Sequence, residues 1–315
     1  MFRNVFIGIV SLFCVFSSYA EEGMATANGI DIWYETFGEK NNPALLLVMG
    51  GGTQGIIWSK EFCKKLTEEG FYVIRYDHRD AGFSTCFDFE KDPYDLIDMA
   101  KDAVGLLDYL EIEKAHLFGL SMGGPISEIM AAQFSERVHS MTVMATSCDF
   151  RPFLLALDNL PPMDGGLSGP NEDYRLWLQQ FLDFPPTTEE EMLEARLTGW
   201  HLLSGFVVPF EEEKQRNIQQ EFLSRVKSEQ GIMNHISAQK RSIDLIQTVP
   251  YEVKVPSLVL LGSEDPIFPS DHGPALAEAI ENSIYIYVEG MGHVPSGHFY
   301  GVMIDAFLRN AARAE

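Results

Sequence analysis

The stretch Ala115-His-Leu-Phe-Gly-Leu-Ser-Met-Gly-Gly-Pro125 decides the fold. A short apolar run, Ala115–Phe118, meets Gly119-Leu120-Ser121-Met122-Gly123, and Pro125–Phe134 then reads as a helix. This is G-x-S-x-G in its strand–turn–helix setting, where small residues let the chain turn sharply and leave Ser121 exposed on a strained elbow. Taken alone, the pattern arises by accident roughly one time in ten in a chain this long. The remaining sequence must therefore supply a base, an acid and an oxyanion site in the right order.

Outward from the elbow, buried strands alternate with helices. Ala44–Met49 is apolar throughout, as a strand covered on both faces should be, and runs into Gly50-Gly51-Gly52-Thr53. A helix is expected at Ser59–Glu69, a strand at Phe71–Tyr76, a helix at Asp95–Leu110 and a strand at Val138–Ala145. Before them, Asn28-Gly29 followed by Ile-Asp-Ile-Trp-Tyr predicts an antiparallel edge hairpin. The alternation breaks near Cys148. From there to Val249 no strand is expected, and helices are predicted at Asp173–Phe184, Thr188–Leu203, Phe210–Glu229 and Ile232–Thr248. It resumes with strand Ser257–Leu261, helix Pro274–Ile280, strand Ile284–Val288 and helix Ser296–Arg313. The expected architecture is α/β: a mostly parallel central sheet with helices on both faces and an inserted helical lid. The corresponding division is a signal peptide at 1–20, a core at 21–148, a lid at 149–250 and the rest of the core at 251–315.

The first twenty residues stand apart. Arg3 is their only charge, Val5–Phe16 is an apolar run too short for a comfortable membrane span, and Ser18-Tyr19-Ala20 offers small residues for cleavage. They predict a secretory signal peptide and a secreted or periplasmic protein with no membrane span after cleavage. Without Cys14, three cysteines remain at scattered positions (Cys63, Cys86, Cys148), which is no disulfide framework. No CxxC or HExxH spacing occurs, so neither a metal nor a cofactor is expected. The net charge of −23 disfavours nucleic acid, whose phosphates would be repelled.

A serine nucleophile needs a base to take its proton, and the base needs a carboxylate to hold its tautomer. In an open α/β sheet all three belong at the carboxyl ends of strands. Of the eight histidines, His293 fits, five residues beyond the strand ending at Val288 in Gly290-Met291-Gly292-His293. His201 and His235 fall on lid helices, and His116 lies inside the elbow strand. The acid candidate is Asp265, after strand Ser257–Leu261. Asp149, after strand Val138–Ala145, is the alternative, and a turn-capping role for Asp265 before Pro266 is also open. The order Ser…Asp…His is that of the nucleophile-elbow hydrolases. The oxyanion donors expected are the backbone amides of Met122 and Gly51.

Together these segments resemble the α/β-hydrolase fold. Leu47-Val-Met-Gly-Gly51, Tyr72-Val-Ile-Arg-Tyr-Asp-His-Arg-Asp80 with Gly82 and Ser84-Thr85, Gly119-Leu-Ser-Met-Gly123 and Gly290-Met-Gly-His293 are similar to the aclacinomycin methylesterase group, which cleaves a carboxylic methyl ester on a polyketide. The lid segment Trp200–Glu211 is similar too, whereas Asp149–Gly169 departs from the group, as does the leader. The resemblance implies Ser121 as nucleophile, His293 as base, Asp265 as acid, and Gly51 and Met122 as oxyanion donors. The expected activity is a serine esterase acting on a small, apolar molecule. The alternatives on this fold are a lactonase, thioesterase, acyltransferase, cofactor-free peroxidase or a non-enzymatic small-molecule binder. Ser121 stands where epoxide hydrolases and dehalogenases carry Asp.

Overall fold

The computed structural model describes residues 20–228 and 230–314. The signal peptide expected at 1–20 lies, Ala20 apart, outside the described residues. None of the described helices is long and apolar enough to cross a membrane.

One eight-stranded sheet organises the chain. Its strands are β1 (Glu21–Ala27), β2 (Ile30–Phe37), β3 (Ala44–Val48), β4 (Tyr72–Tyr76), β5 (Ala115–Leu120), β6 (Val138–Met144), β7 (Ser257–Gly262) and β8 (Ser283–Val288), in the order β1-β2-β4-β3-β5-β6-β7-β8. The β1–β2 hairpin turns at Asn28-Gly29, both with positive φ, and joins β4 antiparallel. All other pairings are parallel. The chain leaves β3 towards β4 on one side and returns to β5 on the other. The carboxyl ends of β3 and β5 therefore flank the point where strand order reverses, the place where open α/β sheets form a crevice.

Continuous apolar strands follow from burial on both faces. Leu46, Val48, Ile74 and Leu117 pack beneath α2 (Leu96–Tyr109) and α3 (Gly123–Gln133). Their neighbours Leu45, Leu47, Val73 and Phe118 face α1 (Lys60–Glu68) and α11 (Tyr300–Ala311). Helix starts follow local chemistry. Ser59 caps α1 by accepting from the Phe62 amide, and Asp95 and Asp98 form a capping box on α2.

Between β6 and β7 lie α4 (Arg151–Leu157), α5 (Glu172–Asp183), α6 (Glu189–Ser204), α7 (Glu212–Ser224), α8 (Gly231–Arg241) and α9 (Ile243–Thr248), with no strand among the described residues. Helix α10 (His272–Ala279) follows β7. Several expectations need correction here. The single helix expected at Ile232–Thr248 is two, broken at Ser242, whose hydroxyl accepts the Leu96 amide at 2.9 Å. The helix expected from Phe210 to Glu229 is confined to Glu212–Ser224, and α4 lies where none was expected. The last helix starts at Tyr300, after a single 3-10 turn at Gly297–Phe299, rather than at Ser296.

One buried group runs against the apolar logic of α3. Both carboxylate oxygens of Glu128 are fully buried and without a hydrogen-bond partner among the described residues. Burial pushes its carboxyl up to about 8. Below the ordinary glutamate value of about 4.3 the folded and unfolded chains both hold the proton. Between that value and about 8 only the folded chain does, so stability falls as pH rises. Glu128→Gln removes this slope. In urea titrations from pH 5 to pH 8, the variant should gain roughly 3–4 kcal/mol relative to the parent. A constant difference across that range refutes the assignment.

Candidate active site

The elbow is held in a conformation L residues avoid. Ser121 has φ of +53°. Its amide donates to the Met144 carbonyl at 3.0 Å, and its carbonyl accepts from Gly124 at 2.8 Å. The motif glycines are required by close approach. A Cβ on Gly119 would lie 2.4 Å from the Gly123 carbonyl oxygen, and one on Gly123 would lie 2.2 Å from that of Val48. The first turn of α3 thus sits directly on the end of β3. Gly50 completes the fit, since a Cβ there would come within 3.2 Å of the Ser121 Cβ.

His293 and Asp265 meet at the ends of β8 and β7. His293 Nδ1 lies 3.0 and 2.9 Å from the two carboxylate oxygens of Asp265. Both side chains are buried. Asp265 Oδ1 also accepts the amides of Ile267 and Phe268 at 2.9 and 3.0 Å. The turn-capping aspartate and the partner of His293 are thus one residue. Asp149 lies elsewhere, clamped on Arg151 through both oxygens. The His293 loop is anchored to the helical insert, because its amide donates to the Leu203 carbonyl at 2.7 Å. A Cβ on Gly292 would lie 2.3 Å from that same oxygen.

Ser121 and His293 line one cavity of about 150 Å³ together with Gly51. Its walls are chiefly apolar, from Leu120, Phe153, Leu178, Trp200 and Val294. Met122 stands at the N-terminus of α3, where the helix dipole favours negative charge. Among the described residues, neither the Gly51 nor the Met122 amide is spent on an acceptor. No group of three or more His, Cys, Asp or Glu side chains among the described residues could hold a metal.

Two residues of α8 belong to this site and escaped sequence reasoning. His235 Nδ1 accepts the Gly52 amide at 2.9 Å, and its Nε2 lies 2.7 Å from the Arg79 carbonyl. An amide can only donate and a carbonyl only accept, so the ring is fixed as the neutral Nε2–H tautomer. Burial holds it there by pushing its basicity down. Gln239 lies one turn on and lines the cavity near Gly51. The available signal was the spacing Ile232, His235, Ile236, Gln239 on one helix face. On the other side of the glycine loop, His78 Nε2 contacts the Met49 carbonyl at 2.9 Å. Its burial beside His235 pushes it down to about 3. Asp77 accepts the amides of Gly55 and Phe83 and pairs with Arg225 of the insert at 2.6 Å. The guanidinium of Arg225 is stacked 4.1 Å from the rings of both Trp33 and Phe83.

The sequence pattern of the alpha/beta hydrolase fold matches residues 43–297. The chain is 33% identical over 279 residues to rhodomycin D methylesterase DauP of Streptomyces sp. (strain C5), covering 86% of this chain and 91% of that protein. The match to rhodomycin D methylesterase DnrP of Streptomyces peucetius has the same identity and coverage. Among solved structures, 2-hydroxy-6-oxo-6-phenylhexa-2,4-dienoate hydrolase from Rhodococcus sp. strain RHA1 superimposes with a TM-score of 0.71 at 19% identity, over 93% of this chain and 100% of the other.

Replacing His235 by Phe leaves the Gly52 amide and the Arg79 carbonyl unpaired inside the fold. The expected loss of stability in urea unfolding is about 2–4 kcal/mol, since each orphaned buried group costs about 1–3 kcal/mol. A loss below about 1 kcal/mol would show that water replaces the ring.

Proposed function

Because the chain belongs to the alpha/beta hydrolase family, we propose that its site works as a serine esterase, cleaving a carboxylic methyl ester of a small, largely apolar molecule through an acyl-enzyme. In this reading Ser121 Oγ attacks the ester carbonyl. His293 takes the serine proton at Nε2 while Asp265, at Nδ1, fixes the tautomer and stabilises the imidazolium. The charge that develops on the carbonyl oxygen is met by the Gly51 and Met122 amides, a type of donor worth about 3 kcal/mol each in the transition state. His293 then returns the proton to the leaving methoxide, so methanol departs. A water molecule, deprotonated by the same imidazole, next attacks the acyl-enzyme and frees the acid and Ser121.

The observation that carries this reading is the His293–Asp265 pair, whose histidine lines the same cavity as a serine in a strained elbow. The choice of a methyl ester draws on the relatives named as methylesterases. The apolar cavity wall favours an apolar group near the carbonyl. The charge and apolar run of the first twenty residues support export, with action outside the cytoplasm.

Ser121→Ala should abolish turnover of short p-nitrophenyl and methyl esters, lowering kcat by on the order of 10⁴-fold or more, while the far-ultraviolet spectrum stays unchanged. Asp265→Asn should lower kcat by on the order of 10³–10⁴-fold. Asp149→Asn should keep most of the activity. Stopped assays with a fluorophosphonate label on Ser121 read the nucleophile directly. Undiminished turnover in Ser121→Ala sinks the proposal.

A further inference from the structure

A second and larger cavity, of about 520 Å³, adjoins the one that holds Ser121. The two share Gly52, Thr53 and Ile232. A Cβ on Gly52 would sit 3.1 Å from Ile232 Cγ1, so the Ile232 side chain packs on the glycine loop where the two cavities meet. The catalytic cavity is smaller than the few hundred Å³ that a drug-sized ligand occupies, whereas the second is in that range. For a methyl ester the leaving group is one carbon, and all remaining bulk lies on the acyl side.

Most of the second cavity is apolar, with Phe181, Leu182, Met192 and Phe222 among its walls. Three charged side chains line it. Asp80 is satisfied internally, by the Tyr94 hydroxyl at 2.6 Å, the Phe87 amide at 2.7 Å and the Asn234 amide group at 3.1 Å. Lys227 donates to the Phe83 carbonyl at 2.6 Å. Neither cation has a carboxylate partner among the described residues, but Lys227 is exposed to solvent whereas Arg196 is half-buried. Its Nε donates to Gln219 Oε1 at 2.9 Å and its guanidinium lies over Phe222, with Cζ 3.6 Å from the ring centre. Among the described residues no carboxylate comes within ion-pair distance of it. The chain carries 46 acidic side chains against 23 basic ones, so acids were plentiful. Those nearest along α6 are engaged elsewhere, Glu194 with Arg216 and Glu191 with the helix cap. Burial pulls Arg196 down to about 9, which leaves it charged at neutral pH. A cation kept partly buried without a counter-charge costs free energy unless a ligand supplies one.

We propose that the second cavity is the acyl subsite and that Arg196 selects esters whose acyl part carries a second, ionised carboxylate: half-esters with an apolar spacer. This rests on the esterase reading above. The planar fork of a guanidinium suits a carboxylate, with the two terminal nitrogens free to donate in parallel. The overall negative charge opposes an anionic ligand at long range, but salt screens that field beyond about 8–10 Å, whereas Arg196 acts at contact.

The test compares monomethyl esters of linear dicarboxylic acids, of about six to sixteen carbons, with methyl esters of the matching monocarboxylic acids. At the best chain length the protein should favour the anionic ester by about tenfold or more in kcat/KM, as a charge-assisted hydrogen bond would give. Arg196→Met should erase that ratio through KM rather than kcat, and Arg196→Lys should keep part of it. Met192→Glu, one turn before Arg196 on α6, supplies an internal carboxylate and should erase the ratio with Arg196 still present. Calorimetric binding of the half-ester to the Ser121→Ala protein, with and without Arg196→Met, needs no turnover. If the parent cleaves no ester but the half-ester binds in an Arg196-dependent way, the esterase reading fails and the subsite stands. If neutral esters are cleaved and no anionic ester is preferred at any length, or the preference survives both Arg196→Met and Met192→Glu, the subsite is refuted.

Discussion

The backbone of Ser121 sits in the left-handed region, at φ of +53°, and this single constraint shapes the structure around it. Such a conformation costs a β-substituted residue of order 1–3 kcal/mol and persists only where its surroundings over-determine it. Three contacts do so. The end of β6 holds the Ser121 amide, the first turn of α3 returns to its carbonyl, and the β3 terminus presses against Gly123. Each contact comes from a strand or helix buried in the core, so the strain is offset by packing that the fold makes anyway. The reward is positional, because a serine on such a turn projects beyond the sheet instead of lying along it.

The second theme is how firmly the helical insert is bound to the loops beneath it. Most of the joints are polar and buried. His235 connects α8 to Gly52 and Arg79, and Arg225 reaches from just beyond α7 to Asp77. Leu203, on α6, holds the His293 loop by its carbonyl. Buried polar links are weak sources of net stability, but breaking one partner is costly, so they select one arrangement over near alternatives. Here that arrangement fixes the glycine loop from above through His235 and from within the core through His78.

Much of this was readable in the sequence, for identifiable reasons. Strands β3 and β7 are covered on both faces and so appear as nearly unbroken apolar runs. Ser121, His293 and Asp265 fall just after strand ends, where the sheet topology brings them to one edge. Other features were illegible because the decisive partner is remote. Ser242 breaks a helix whose apolar spacing continues through Ile243 and Ile246, and only its contact with Leu96 explains the break. Helix α4 is short and gives too few turns for a periodic signal. His235 looked like an ordinary residue of a surface helix, since both of its partners are backbone atoms more than 150 positions away. Asp265 posed a choice between capping and pairing that the three-dimensional arrangement dissolves by making it do both.

The bond from the His293 amide to Leu203 also bears on modular design. It is a backbone-to-backbone link, so no substitution at Leu203 short of proline-like backbone change at its neighbours can remove or restore it. Gly292 allows the approach by having no side chain. A chimaera that swaps the helices between β6 and β7 for those of a relative therefore inherits a geometric debt at this seam: the incoming C-terminal turn of α6 must deliver a carbonyl to the same point in space. Sequence identity within the transplanted segment says nothing about whether it does. Splice points chosen around that carbonyl, rather than at the loop ends, keep the seam intact.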